Sequence, residues 1–133
     1  MIVGVCDTHA LIWQIYNDPR LSLTAEQFIS SAAQSGDNIA ISAITLVEMV
    51  YLIEKGRIAA ESFSRVTRAL EQRNSVFIVV PVDLQVARAL SRVDITQVPD
   101  MPDRIIAATA GHLNVPIISR DSKIQLSSIN TIW

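Results

Sequence analysis

The sequence predicts an α/β fold in which a mostly parallel β-sheet is covered by helices. Short apolar runs that suit buried strands alternate along the chain with segments whose apolar residues recur at helical spacing. The first run, residues 2–6, is apolar without a break, which is typical of a strand buried on both faces of a parallel sheet. No composition break, internal repeat or low-complexity tract divides the 133 residues, so we expect one domain over residues 1–133.

Five apolar runs predict the strands of this sheet. Each run is short, and the third is ended by Pro81, which cannot donate a hydrogen bond to a neighbouring strand. The last run lies at the C-terminus and suits an edge strand. The predicted strands cover residues 2–6, 39–41, 76–80, 115–119 and 130–133.

Capping residues and apolar periodicity predict the helices between these strands. Ser22 or Thr24 suits the start of the second helix, and Asp83 suits that of the fifth. The third helix is apolar on nearly all sides, so we expect it to be largely buried. Residues 93–102 are the one irregular stretch. The predicted helices run from the first strand to about residue 16, from 23 to the turn at 35–38, and over 43–55, 60–73, 84–90 and 103–113.

Composition and charge limit the functions that are possible. The net charge is −2, so the chain has no overall basic field, and contact with nucleic acid must come from a local patch or through metal. No apolar stretch approaches the roughly 20 residues that cross a membrane. The single cysteine, Cys6, cannot form an intramolecular disulfide. The N-terminus lacks the basic region of a signal peptide, and we therefore expect a cytoplasmic protein.

Four acidic residues lie where this topology brings strand ends and helix starts together. Asp7 follows the first strand, Asp121 follows the fourth, Glu48 lies on the third helix, and Asp103 opens the sixth. Taken singly, the three aspartates are best interpreted as helix caps or first-turn acids. Glu48 is different, because an acid on a buried helix with no Lys or Arg within a turn needs a remote partner.

The joint placement of the four acids favours metal binding over capping. The carboxyl ends of adjacent parallel strands meet at one edge of a sheet. Two carboxylates about 4 Å apart repel each other by about 4 kcal/mol at an effective dielectric near 20. A divalent cation relieves that repulsion, and oxygen ligands suit Mg²⁺ or Mn²⁺. Such ions activate water for attack on phosphorus, so the pattern indicates phosphodiester hydrolysis.

The same residues resemble the motifs of the PIN-domain family of metal-dependent nucleases, and most closely its small bacterial VapC-type toxins. Four segments carry the resemblance in order, and together they span essentially the whole chain. The first contains Asp7, the second ends at Glu48, the third contains Asp103 and the last ends at Asp121. These segments are residues 7–13, 42–48, 102–110 and 119–121.

The resemblance implies a three-layer α/β/α sandwich and an endoribonuclease that depends on Mg²⁺ or Mn²⁺. It implies that Asp7, Glu48, Asp103 and Asp121 form the metal and catalytic site. It also implies RNA as substrate, a homodimer, and neutralisation by a cognate antitoxin. Ser119 stands where the family more often has Thr, and its hydroxyl could still orient a carboxylate or water.

Several residues near the four acids have two open interpretations. Asp100 either assists the metal indirectly or caps the sixth helix. Arg104 and Arg120 either contact RNA phosphates or are solvated or paired with acids. His9 is better explained as a packed or hydrogen-bonded side chain than as a ligand, and Trp13 as a core or dimer-interface residue than as one that stacks on RNA.

Other functions fit less well. A two-component receiver domain needs two adjacent acids after the first strand, and a phosphatase with an Asp-x-Asp start needs an acid where His9 stands. Neither a glycine-rich dinucleotide fingerprint nor a phosphate-binding loop with Lys is present. The remaining alternative is a catalytically silent α/β binding module of the same fold, in which the acids only stabilise the structure.

Overall fold

The computed structural model describes residues 1–133 and contains five strands and seven helices. No helix combines the length and hydrophobicity that a membrane crossing requires. The strands are β1 Ile2–Cys6, β2 Asn38–Ser42, β3 Phe77–Val80, β4 Ile117–Ile118 and β5 Thr131–Ile132. The helices are α1 Thr8–Ile15, α2 Leu23–Gln34, α3 Ala43–Glu54, α4 Ser62–Leu70, α5 Leu84–Leu90, α6 Met101–Leu113 and α7 Ser122–Leu126.

The strands form one parallel sheet in the order β3-β2-β1-β4-β5, and helices cover both of its faces. Successive side chains of a strand point to opposite faces. On β1, Cys6 therefore packs into a core with α1, α2 and α4, whereas Val5 packs into a second core with α6 and α7. Ile118 and Ile117 of β4 divide between the two cores in the same way. The predicted three-layer α/β/α sandwich is confirmed.

The neighbouring strands β1 and β4 bring two predicted site segments together. Cys6 is in register with Ile118, and the N–H of Asp7 donates a hydrogen bond to the Ile118 carbonyl at 3.1 Å. From β1 the sheet extends through β2 on one side and through β4 on the other. A crevice at the carboxyl edge of such a sheet is the usual place for a ligand. The predicted adjacency of the first and fourth strands is confirmed.

Helix α3 is less buried than its composition predicts. Its buried residues are Thr45, Met49 and Leu52, whereas Val47 and Tyr51 keep 62% and 51% of their surfaces exposed. The helix packs against α1, α4 and α6 along one stripe, and its opposite side faces solvent. The prediction of a helix buried on nearly all sides was therefore wrong.

The sixth helix begins two residues before the predicted start at 103. Met101 opens α6, and Asp100 is its N-cap. Pro102 fits the first turn because the N–H that proline lacks has no partner there in any helix. Other predicted elements are shorter than expected, most clearly Ser62–Leu70 in place of 60–73 and Ile117–Ile118 in place of 115–119.

Candidate active site

An open cavity of about 500 Å³ lies at the carboxyl edge of the sheet. Its wall is mostly polar, and Trp13 and Leu52 are its two hydrophobic residues. All four acids that the sequence analysis singled out line this one cavity. The acidic side chains on its wall are Asp7, Glu48, Asp100, Asp103 and Asp121.

Asp7 and Asp121 each cap the helix that follows them. Asp7 Oδ1 accepts a hydrogen bond from the backbone N–H of Ala10 at 2.9 Å. Asp121 Oδ1 accepts from the N–H groups of Lys123 and Ile124 at 2.8 and 3.1 Å. The capping interpretation is therefore correct for both residues. Capping occupies Oδ1 of each carboxylate, and Asp7 also receives a hydrogen bond from the Ser119 side chain.

Ser119 is fully buried between these two aspartates. Its hydroxyl oxygen accepts a hydrogen bond from the Asp121 N–H at 3.0 Å. Burial raises the pKa of Asp7, and hydrogen bonds from Ser119 and from the Ala10 N–H and the charge of His9 partly counteract that rise. The position of Ser119 thus fits the orienting role that the family resemblance implies.

Two threonines hold Glu48. Its Oε1 accepts a hydrogen bond from the Thr8 hydroxyl at 2.5 Å, and the hydroxyls of Thr8 and Thr45 lie 3.2 Å apart. A hydroxyl has one proton to donate, so Thr8 donates to Glu48 and accepts from Thr45. Glu48 is half-buried rather than deeply buried. The expectation of a partner remote in the sequence is confirmed, since Thr8 of α1 lies 40 residues from Glu48, although this partner is a hydroxyl and not a cation.

Asp103 experiences the charges of the other acids. It is a half-buried residue of the first turn of α6, and its N–H donates to Oδ2 of Asp100 at 3.4 Å, which confirms Asp100 as a cap. Burial, and to a lesser degree the negative charges of Asp100, Asp121, Glu48 and Asp7, together raise the pKa of Asp103 to about 7. Acids from four separate segments therefore interact electrostatically.

The two arginines beside these acids have different surroundings. Arg120 is exposed and lines the cavity. Arg104 lies outside it, where Nη2 donates to the carbonyl of Leu90 at the end of α5 (3.4 Å) and Nε is buried without a partner. The side chain of Arg104 therefore turns toward α5 and does not line the cavity, and no ion pair joins it to an acid.

No positive side chain is paired with the acids of the cavity. The two ion pairs of the chain join the amino group of Met1 to Asp37 and Arg20 to Asp18, and both lie elsewhere. The cavity thus holds five acidic side chains with no neutralising contact.

Comparison with known families agrees with this geometry. The family model of the PIN domain matches residues 4–128, a range that contains every acid of the cavity. The chain belongs to the PIN-domain family. Proteins with this domain are generally nucleases. No curated protein sequence matches the chain at a significant level.

Three solved structures share the PIN fold over nearly the whole chain. VapBC2 from Rickettsia felis, bound to a promoter DNA fragment, has a TM-score of 0.70 and 17% identity, with 98% of this chain and 97% of that chain covered. DNA-bound VapBC from Salmonella typhimurium has a TM-score of 0.68 and 22% identity, with 98% and 97% covered. A toxin–antitoxin complex from Klebsiella pneumoniae has a TM-score of 0.62 and 22% identity, with 98% and 96% covered. At these identities the similarity establishes the fold.

The donor groups of this PIN-domain cavity suit a hard divalent cation. They are carboxylate oxygens with uncompensated charge, which Mg²⁺ and Mn²⁺ favour. No three acidic, histidine or cysteine side chains stand at the spacing of a preformed metal site. A cation would therefore be held through bridging waters or after rotation of carboxylates, and Mg²⁺ commonly keeps several waters in protein sites. The residues present fit such an ion.

The sequence analysis did not single out three further residues of the wall, Thr8, Leu52 and Arg57. Thr8 orients Glu48, and Arg57 follows the end of α3. His9 also lies on the wall, where its exposed ring packs near Trp13 with 5.8 Å between the ring centroids, which fits the expected packed side chain. Gly56, a stop signal for α3, could have placed the residue after it at the end of that helix. Nothing local could have shown that this helix end faces the cavity.

Proposed function

We propose that this PIN-domain chain is a metal-dependent endoribonuclease and the toxin of a toxin–antitoxin pair, with one nuclease domain over residues 1–133. The observation that carries the proposal is the group of carboxylates from four separate segments in one cavity, without a paired positive charge. Glu48 caps no helix, and the raised pKa of Asp103 means that its ionised form is held at a cost in free energy. A divalent cation offsets that cost, whereas the fold alone has no need for the arrangement.

Each acid has a role in this proposal. Asp7, Glu48 and Asp103 bind Mg²⁺ or Mn²⁺ directly or through water, and Asp121 completes the site. The bound ion supplies activation of water and stabilisation of the charge that develops on the phosphate. Ser119 holds the segments of Asp7 and Asp121 in place. Water attacks phosphorus, a new P–O bond forms while the bond to the leaving sugar oxygen breaks, and no covalent enzyme intermediate is needed.

Cleavage of a mixed RNA sample tests the proposal. The wild-type chain should cut RNA with Mg²⁺ or Mn²⁺ and stop when a chelator is added. Asp7→Asn should abolish cleavage with the fold intact, because Asn is as good an N-cap as Asp. Asp83→Asn is the matched control, since Asp83 caps α5 outside the cavity. Full activity of Asp7→Asn, or cleavage that persists in chelator, would contradict the assignment.

The substrate class and the partners rest on the family resemblance and on the toxin–antitoxin complexes that share the fold. RNA as substrate, a homodimer, a cytoplasmic location and a cognate antitoxin are proposed on that basis. Sedimentation at micromolar concentration tests the dimer, and a purely monomeric species contradicts it. Expression with and without the product of a short upstream reading frame tests the antitoxin, because a cognate antitoxin should relieve growth arrest.

A catalytically silent binding module of the same fold is the second candidate. It is favoured by the capping roles of Asp7 and Asp121 and by the lack of a preformed cluster of three metal ligands. Thermal unfolding with and without Mn²⁺ separates the two candidates. A protein that binds the ion gains stability by mass action, whereas a module whose acids serve only the fold gains none.

A further inference from the structure

We propose that Arg57 and Arg120 form an arginine rim on the acidic cavity, and that this rim binds the phosphates flanking the scissile bond of a single-stranded RNA. The inference rests on the proposed ribonuclease function and adds the substrate contacts to it. A cavity of about 500 Å³ has the size of a small-molecule pocket, so it admits part of one strand rather than a double helix.

The charge of the cavity makes such contacts necessary. Five acidic and two arginine side chains line it, which gives a formal charge of −3 when all are ionised. A polyanion is repelled by this wall. A cation at the acids compensates the scissile phosphate, but the neighbouring phosphates of the strand need partners of their own. Guanidinium groups are suited to them, because their planar donors bind phosphate oxygens in pairs.

The end of α3 places Arg57 on the cavity wall. Gly56 has φ +68°, a left-handed conformation that favours glycine, and it turns the chain out of the helix. The N–H of Arg57 then donates to the carbonyl of Leu52 at 2.9 Å, and Leu52 itself lines the cavity. The backbone of Arg57 is therefore fixed, whereas its side chain is exposed and makes no hydrogen bond within the chain.

Two buried contacts fix the backbone around Arg120. The preceding residue, Ser119, is fully buried and donates its N–H to the carbonyl of Ile132 at 3.3 Å, and the following N–H of Asp121 donates to the Ser119 hydroxyl. The guanidinium of Arg120 lies over the ring of Trp13, with 5.7 Å between the Cζ atom and the ring centroid. This cation–π contact holds the guanidinium near the ring, and its N–H groups make no hydrogen bond within the chain and are free for an anion.

The charges of both arginines are unused within the chain. Neither forms an ion pair with a carboxylate of the cavity, although five are nearby. Arg20 shows the contrast, since it lies over the same Trp13 ring at 5.0 Å but binds Asp18 through two hydrogen bonds of 3.1 and 2.7 Å. The rim is therefore available to an external anion, whereas Arg20 is already occupied.

Binding of a short labelled single-stranded RNA tests the rim. Fluorescence anisotropy in an Asp7→Asn background, in which the RNA should stay uncut, compares Arg57→Gln, Arg120→Gln and the double variant. We expect each change to weaken binding about tenfold, and to reduce the slope of log affinity against log salt by about 0.7. Arg65→Gln is the matched control, because Arg65 is also exposed and stacked, over Tyr16 at 4.2 Å, but lies outside the cavity. It should change affinity less than twofold.

Cleavage kinetics and metal binding make the outcome specific. In the active background the rim variants should raise KM about tenfold with kcat changed less than threefold, and should keep the Mn²⁺-dependent gain in thermal stability. Unchanged RNA affinity overturns the rim. Loss of the Mn²⁺ effect also overturns it, because the arginines would then serve the acids. Binding of a short acidic peptide is measured in the same way. If the rim variants lose affinity for this peptide but keep their affinity for RNA, the result overturns the RNA contact in favour of an acidic protein partner.

Different results would refute the arginine rim and the proposed nuclease function. A wild-type chain that binds RNA through Arg57 and Arg120 but never cuts it supports the rim and refutes the nuclease. A chain that cuts RNA with the same KM in all rim variants supports the nuclease and refutes the rim.

Discussion

Replacing Asp103 with Asn should stabilise the metal-free protein while it abolishes RNA cleavage. Asp103 is half-buried among four other acids, and its pKa is raised to about 7. Its ionised form is therefore less favourable in the folded chain than in the unfolded one. Asn keeps the size of the side chain and removes the charge, so the repulsion disappears together with one metal ligand.

The expected gain can be worked out from the raised pKa. A carboxyl pKa that moves from 3.8 to about 7 corresponds to about 4 kcal/mol of unfavourable free energy at high pH. Asp103 is partly exposed, and solvent screening reduces this to about 1–2 kcal/mol. Loss of a first-turn acid from α6 costs about 0.3–1 kcal/mol in helix-dipole interaction. The net gain is about 1 kcal/mol, which raises Tm by about 3–5 °C in a chain of this size.

Thermal and denaturant unfolding at pH 8 in chelator measure this gain. The difference from wild type should vanish near pH 4, because Asp103 is then protonated in the folded chain as well. Adding Mn²⁺ should stabilise the wild type more than Asp103→Asn. The difference in stability between the two proteins should therefore become smaller or change sign. Asp83→Asn is the control, since it also removes one negative charge from the start of a helix but lies outside the cavity.

A wild type that is as stable as Asp103→Asn at pH 8 without metal would refute the reasoning. It would show that neither burial nor the neighbouring charges destabilise the ionised form of Asp103 to a measurable degree. Retained RNA cleavage by the stabilised variant would instead refute the role of Asp103 and leave the electrostatic account intact.

Three further predictions concern the acids and the core beneath them. Stability in chelator should fall as the pH rises from about 4 to about 7, since Asp7 and Asp103 have raised pKa values in the folded chain and the folded state therefore binds more protons over that range; chemical denaturation at several pH values checks this, and a rise in stability would contradict it. Thr8→Val should raise the Mn²⁺ concentration needed for a given increase in Tm about tenfold, because Glu48 loses the hydroxyl that orients it. Thr8→Ser keeps a hydroxyl and should restore the wild-type Mn²⁺ concentration. Equal Mn²⁺ concentrations for the two variants would exclude the hydrogen bond as the cause. Met49→Ala should cost about 2–5 kcal/mol of unfolding free energy, since Met49 is fully buried in the larger core, and urea titration showing less than about 1 kcal/mol would place that side chain outside a packed interior.

The cavity combines structural and chemical demands on the same residues. Asp7 and Asp121 each give one oxygen to a helix start. Both carboxylates also line the cavity beside three other acids, and the like charges of this group raise the free energy of the folded chain. The acids of the cavity therefore contribute unfavourable electrostatic free energy, which their capping hydrogen bonds only partly offset. A bound cation would remove this unfavourable contribution. The opposed effects expected of Asp103→Asn on stability and on activity follow from this conflict.

The sequence by itself determined the elements and the identity of the acids. Apolar runs and helical periodicity depend on residues close in the chain, and so do caps such as Ser22, Asp83 and Asp121, which the structure bears out. The order of strands and helices then indicated a parallel sheet, and the ends of parallel neighbours must meet at one edge. The sequence alone therefore predicts that Asp7 and Asp121 lie together.

Only the tertiary structure decided which side chains face the cavity. Whether α3 is buried on one side or on all sides depends on what packs against it, and apolar composition alone overstated that burial. Packing between segments of the chain that are not neighbours decides the remaining features. These are the Thr8 contact with Glu48, the turn of Arg104 toward α5 and the position of Arg57 on the wall. Local patterns carry no record of such contacts, because long-range packing fixes the directions of side chains that the chain itself leaves free.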